Sequence, residues 1–188
     1  MTVKQRPGGR TARTKTSVFE AVTALVAERG YSALSMTDIA ERAGVAATSL
    51  YRRWGDVGAL IMEVAVERLI EEYPLPDTGL LTQDLRIWAR SIAAGLSSPE
   101  GSAFFQAFIA TALPSGGNNA ARLAALKPRV AQIETLLDRA RARGEQAPSV
   151  EDVVDMLLAP LYTRTLFGMR TDEAFADRLV KRLLAERH

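Results

Sequence analysis

The stretch Ser35–Trp54 constrains this chain more than any other part of it. Ser35 suits an N-cap and Asp38 lies three residues on, so the spacing predicts a capping box and a short helix from about Met36. Gly44 ends that helix, because glycine enters the left-handed conformation a tight helix stop requires. A second short helix then runs from about Ala46 to Arg53. Ile39, Val45 and Leu50 are the positions expected to be buried where the two helices cross, while Ala40 and Ala43 let the backbones approach. Left outward on the second helix are Ala46, Ala47, Thr48, Ser49, Tyr51, Arg52 and Arg53. Such small, hydroxyl-bearing or cationic side chains suit the wall of a major groove. The pattern predicts a helix-turn-helix that enters DNA. The alternative is a glycine turn between two short helices of an ordinary helical core, and the rest of the chain decides between them.

Charge is distributed unevenly. Residues 1–55 hold nine Lys/Arg against four acids, and residues 56–188 hold fifteen against eighteen, within a chain whose net charge is only +2. A basic first third on a mildly acidic remainder points to an N-terminal part that meets a polyanion. The 188 residues, 47% hydrophobic and 24% charged, suffice for one large or two small domains. Cysteine is absent, which excludes disulfides, thiolate metal sites and cysteine nucleophiles. The one histidine, His188, is the last residue, where no base is held in register. With no catalytic residue and no metal ligands in view, the chain is not read as an enzyme. Nor is a cofactor expected. Apolar runs fall short of the roughly 18 residues of a membrane span, and the charged N-terminus is unlike a signal peptide, so a cytoplasmic protein is expected.

Taken in order, residues 1–13 carry Lys4, Arg6, Arg10 and Arg13 with no acid. They read as a disordered basic arm, either reaching for phosphates and a minor groove or serving as a bare leader. Amphipathic spacing of Val18, Val22, Leu25 and Val26 predicts a first helix from about Thr14 to Arg29. A fourth, capped by Asp56, runs from Val57 to about Glu72. Pro74, Pro76 and Gly79 then break the helical pattern, giving a DNA-binding domain at 14–73 and a second domain at 74–188. Beyond the break no strand pattern occurs. A fifth helix runs from Leu80 to about Leu96, a sixth is opened by Ser98-Pro99, and a seventh spans about Ala120 to Arg143, interrupted or kinked near Pro128. An eighth opens at a Ser149/Asp152 capping box and should kink at Pro160, and a ninth is capped by Thr171. The expected fold class is all-α, with about nine helices. The eighth shows Val150, Val153, Val154, Leu157, Leu158 and Leu161 on one broad apolar face, which fits either a dimer bundle or the subunit's own core.

Over residues 15–65 stand, in order, Phe19-Glu20-Ala21-Val22, Glu28-Arg29-Gly30-Tyr31, Asp38-Ile39-Ala40, Ala43-Gly44-Val45, Ser49-Leu50-Tyr51-Arg52-Arg53-Trp54 and Ala59-Leu60. In order and spacing these pieces resemble the TetR family of transcriptional regulators. The second half resembles one subgroup of the family's ligand-binding domains through Leu75-Pro76-Asp77-Thr78-Gly79, Asp84-Leu85-Arg86, Arg143-Gly144-Glu145, Ala159-Pro160-Leu161-Tyr162 and Phe175-Ala176-Asp177-Arg178-Leu179. The resemblance implies a homodimer through helices eight and nine, recognition helices in successive major grooves of a near-palindromic double-stranded DNA operator, and an effector pocket in each C-terminal domain. It also implies that effector entry tilts helix four and releases the operator. The chain departs from the family where Ala46-Ala47 replaces a serine and lysine at the recognition helix, and where Asp56-Val57 replaces a Ser-Lys pair at helix four.

Site roles follow as expectations. Thr37, Ser49, Tyr51 and Arg53 are assigned to phosphates, with Ser35 close by, and Ala47 and Thr48 to base edges. Arg52 either reaches a guanine or stays a surface charge. Arg52, Arg53 and the arm at Arg10, Arg13 and Lys15 are the candidate replacements for the missing lysines, and Trp54 is read as core. For a small-molecule effector, Trp88, Phe104, Phe105, Phe108, Met156, Tyr162 and Phe167 supply aromatic and sulfur surface, with Arg90, Gln106, Thr111 and Arg164 as polar groups, or the same aromatics simply form core. An apolar effector with one polar or acidic group fits this set. The alternative function is a helical ligand-binding or interaction protein with a weakened DNA-binding head.

Overall fold

A computed structural model of the chain describes residues 10–30, 33–98, 101, 104, 105, 109 and 119–185. Among the described residues all regular structure is helical, as expected. The elements are α1 (Arg10–Arg29), α2 (Met36–Ala43), α3 (Ala47–Trp54), α4 (Val57–Glu72), α5 (Leu81–Ser97) and α6 (Asn119–Ala142). Next come α7, a rod built from Val150–Val153, Val154–Leu158 and Ala159–Leu166, and α8 (Glu173–Ala185). Most of the expected sixth helix lies outside the described residues, although Gly101, Phe104, Phe105 and Ile109 are helical. The expected eighth and ninth helices are therefore α7 and α8. By contacts the chain divides into two compact units, Met1–Ala65 with Ala107–Ala125, and Val66–Gln106 with Leu126–His188. That division falls inside α4, ahead of the break read at Pro74.

In the first unit, Val18, Val22 and Leu25 of α1 meet Ile39 of α2, Leu50 and Trp54 of α3, and Leu60 and Ile61 of α4 in one apolar core. Ile39 and Leu50 are essentially inaccessible, and each such side chain stabilises the fold by roughly 1.5–3 kcal/mol. Truncating Leu50 to alanine would also leave a cavity, at a cost of about 2–5 kcal/mol. Helix α1 begins at Arg10 rather than Thr14. Gly8 and Gly9 are the nearest helix breakers in the sequence, while alanine and arginine favour helix. The hydroxyls of Thr16 and Ser17 donate back to the carbonyls of Ala12 and Arg13. Arg13 is thus helical, not part of an arm; residues 1–9 lie outside the described residues.

The second unit is built on matching stripes. Leu81, Leu85, Trp88, Ala89 and Ile92 on α5, and Ile133, Leu136, Leu137 and Ala140 on α6, are buried. Helix α8 packs along α5, and α7 packs against both. Arg90 of α5 grips Asp177 of α8 with two hydrogen bonds of 2.8 and 2.6 Å. The loop ahead of α5 is clamped by the very residues that carry the second-half motifs. Asp84, fully buried, accepts from both the backbone N–H and the hydroxyl of Thr78 at 2.7 Å. Arg139 reaches Asp77 at 2.9 Å, and Glu145 accepts the Leu81 backbone N–H at 2.9 Å.

Proline shapes the two long helices differently. Helix α6 runs through Pro128 without interruption. In α7, Val154–Leu158 widens to a π turn in which the Ala159 N–H donates to the Val154 carbonyl, five residues back. Pro160 has no N–H to continue the ordinary ladder, so the register is absorbed in this turn. Thr171 does not cap α8: Asp172 accepts the Phe175 N–H at 2.9 Å. Thr171 instead is buried, its carbonyl accepting from the Ser97 hydroxyl at 2.7 Å.

Candidate nucleic-acid interface

The turn between α2 and α3 is fixed by its own sequence. Ser35 and Asp38 form the expected reciprocal capping box, and Gly44 follows α2 at φ 65°. The Ser35 hydroxyl donates to Asp38 Oδ2. That bond, with help from the Ser35 N–H and Arg29, holds the Asp38 carboxyl below the usual carboxylate range. Ala46 occupies the N-cap of α3 with extended backbone and no side-chain cap bond. The first N–H groups of α3 therefore lack the partner that a Ser or Asp supplies.

Exposure sorts the faces of α3. Thr48, Tyr51 and Arg52 are exposed and stand three and four residues apart, so they share one side of the helix. Arg53 is also exposed, its guanidinium lying 4.6 Å from the centre of the Trp54 ring. Ser49 is half-buried, and Ala47 packs part of its surface on the core. Trp54 itself is core, 5% exposed. On α2, Thr37 is exposed.

Several charges in this unit are paired, while Arg13 on α1 and the arginines of α3 form no ion pair among the described residues. Arg42 makes a two-pronged bond to Glu28 that lowers the Glu28 carboxyl and raises Arg42, and Arg29 lies 3.7 Å from Asp38. Lys15, assigned from sequence to phosphate, has its ammonium 3.3 Å from Glu63 and above the Phe19 ring. Arg52 and Arg53 form no ion pair among the described residues. Sequence reading missed Glu63, which accepts the Trp54 indole N–H at 2.7 Å. The available signal was an acid on the otherwise apolar start of α4.

The sequence-assigned effector residues divide among several places in the second unit. Phe105 and Tyr162 stack with centroids 4.9 Å apart. Trp88 is fully buried, and its indole N–H has no acceptor among the described residues. Phe104 lies under Arg68. Arg90 is engaged with Asp177 and Glu173. Arg164 donates to the Arg170 carbonyl and covers Phe175, away from this group. Met156 is half-buried in the π turn, and Phe167 is 72% exposed. Phe108, Gln106 and Thr111 lie outside the described residues.

A further residue, Arg129, escaped the sequence reading. Its guanidinium sits 4.9 Å from the Trp88 ring centre and donates to the Tyr73 carbonyl and to Gln132, both at 3.0 Å. Burial holds its pKa below the usual guanidinium value, the charge of nearby Tyr162 acting the other way. The signal was legible after the fact: position 129 falls on the stripe 133, 136, 137 and 140 that α6 buries.

A capped helix-turn-helix with an exposed basic recognition helix, joined through α4 to a second helical unit, defines a DNA-binding regulator with an appended regulatory domain. Comparison with known proteins agrees. Residues 18–64 match the bacterial regulatory proteins of the tetR family, and residues 75–183 match the tetracyclin repressor-like C-terminal domain. The HTH-type transcriptional regulator AqdR of Rhodococcus erythropolis is 32% identical over 147 residues, covering 78% of this chain and 70% of that protein. The uncharacterized HTH-type transcriptional regulator YdeS of Bacillus subtilis strain 168 is 28% identical over 170 residues, covering 89% and 86%. The crystal structure of the TetR family transcription regulator SCO0332 matches with a TM-score of 0.73 at 27% identity, covering 94% of this chain and 99% of that one. A TetR regulator from Rhodococcus sp. RHA1 shares the fold at a TM-score of 0.69 and 22% identity, covering 96% and 100%. This chain belongs to the TetR family of transcriptional regulators.

Proposed function

We propose that the protein is a repressor that binds a near-palindromic operator as a homodimer and is released by a small-molecule effector, on which it does no chemistry. The observation that carries the DNA reading is the exposed face of Thr48, Tyr51 and Arg52 on a helix whose last residue is bonded to α4. Tyr51, Ser49, Thr37 and Arg53 contact phosphates, with Ser35, Arg13 and Lys15 close by. Thr48 reads a base edge by its hydroxyl, Ala47 adds methyl contact, and Arg52 takes a guanine or a phosphate.

Residues 14–73 act as the DNA-binding head and 74–188 as the effector and dimer body, with α4 running from one into the other. Among the described residues no helix is long and apolar enough to cross a membrane, which supports action in the cytoplasm. The dimer forms through α7 and α8. Support for that comes from what α7 leaves outside, since Val153, Leu157, Leu158 and Leu161 are consumed by the subunit's own core. Val154 and Leu166 remain on the outside of the rod at 37% and 46% exposure, followed by Phe167 and Met169.

Release requires only that the effector favour a state in which the paired heads no longer match the operator. A tenfold fall in affinity needs about 1.4 kcal/mol of such preference. Sedimentation of the full chain together with anisotropy of a labelled duplex from its own upstream region tests this reading. A dimer with salt-sensitive binding supports it, while a monomer, or no binding at low salt, contradicts it.

A further inference from the structure

Arg129 is a charged group that the fold draws partly inward, over the Trp88 ring. No carboxylate among the described residues pairs with it, and its two hydrogen bonds go to neutral oxygens, the Tyr73 carbonyl and the Gln132 amide. Among the other partly buried arginines of the unit, Arg90 has Asp177 and Glu173, Arg139 has Asp77 and Arg68 has Glu72, while Arg164 bonds the Arg170 carbonyl over the Phe175 ring. A guanidinium has five N–H donors and cannot shed its proton, so a desolvated one lacking an anion is an unsatisfied group. Beside it stands a donor with no acceptor among the described residues, the indole N–H of the fully buried Trp88. Around the pair the surface is aromatic, with Tyr162 stacked on Phe105.

A cation bonded only to neutral oxygens and an indole N–H with no acceptor among the described residues, beside aromatic rings, make the complement of an amphipathic anion. We propose that this cluster is the effector site and that the effector is a small organic carboxylate. Arg129 binds the carboxylate, the Trp88 N–H contributes a further hydrogen bond, and the Phe105–Tyr162 pair packs against the apolar body. A single guanidinium balances one negative charge; a phosphate dianion would bring an uncompensated charge into the same poorly hydrated surroundings. The inference rests on reading the second unit as effector-binding, and it adds the ligand's charge and its anchor.

The test uses the full-length chain. First, Arg129→Met is compared with the wild type in the absence of ligand. A residue kept for an absent anion can be replaced by an apolar one of similar length without loss, so an equal or higher melting temperature is expected. A fall of more than about 4 °C would make Arg129 a structural strut and overturn the assignment. Second, calorimetric titrations use 1-naphthoate and decanoate beside their uncharged amides, 1-naphthamide and decanamide. The expected result is binding of at least one acid, weakened roughly tenfold or more in its amide and in Arg129→Met. Equal binding of acid and amide would overturn the anion assignment while leaving an effector site standing. Binding of none of the four would count against both.

Discussion

The indole N–H of Trp54 donates to Glu63 Oε2 at 2.7 Å, fastening the last residue of α3 to the first half of α4. The other oxygen of the same carboxylate lies 3.3 Å from the Lys15 ammonium of α1. Three helices of the head thus share one acid, and α3 is tied to α4 by a directional bond as well as by packing.

Replacing Glu63 by alanine removes the acceptor from a largely buried indole. A hydrogen bond to a charged group contributes about 1.5–3 kcal/mol, and a loss of that order is expected in denaturant unfolding, with weaker operator binding alongside. Unchanged stability would mean that the bond does not hold α3 in place.

Ala46→Ser should do the opposite. The backbone at Ala46 already has the extended geometry of an N-cap and lacks only a side-chain acceptor. Supplying it should stabilise the protein by about 0.5–2 kcal/mol, read as a rise in melting temperature.

On α3, phosphate and base contacts separate by their salt and sequence dependence. Tyr51→Phe combined with Arg53→Ala should weaken binding alike on all DNA sequences and lower the salt slope by about one. Thr48→Ala should relax preference at one or two base pairs and leave the slope alone. Unaltered affinity of the Tyr51/Arg53 double variant in low salt would remove both residues from the interface.

Acid should loosen the second unit in part through Asp177. The Arg90 guanidinium, aided by Arg86, holds its carboxyl below the ordinary 3.8. A depressed carboxylate contributes stability that is complete above its unfolded value and is lost as pH falls through the lower folded one. The melting-temperature gap between wild type and Asp177→Asn should therefore be full at neutral pH and close below about pH 4. A gap that stays constant to pH 2 would contradict the pairing.

Local signals carried much of this fold. Capping boxes at Ser35 and Ser149, the Gly44 stop and the Asp56 cap need only nearby residues, and each is present as read. The apolar stripe of α7 was legible too, but periodicity cannot say whose core receives it; here most of it is the subunit's own. Long-range pairings were out of reach. Nothing near Arg90 in the chain announces Asp177, and nothing near Glu63 announces Trp54 as its donor. Arg129 is the instructive miss, because aromatic residues attracted attention while the cation among the buried positions of α6 did not.

Selection of bound duplexes from random DNA by the full chain decides whether two copies of α3 read a two-fold operator. The expected product is a near-palindrome with two half-sites in successive major grooves, whose consensus changes at one or two positions with Thr48→Ala. Recovery of no consensus, or of a single unpaired half-site that Thr48→Ala leaves untouched, would contradict the account.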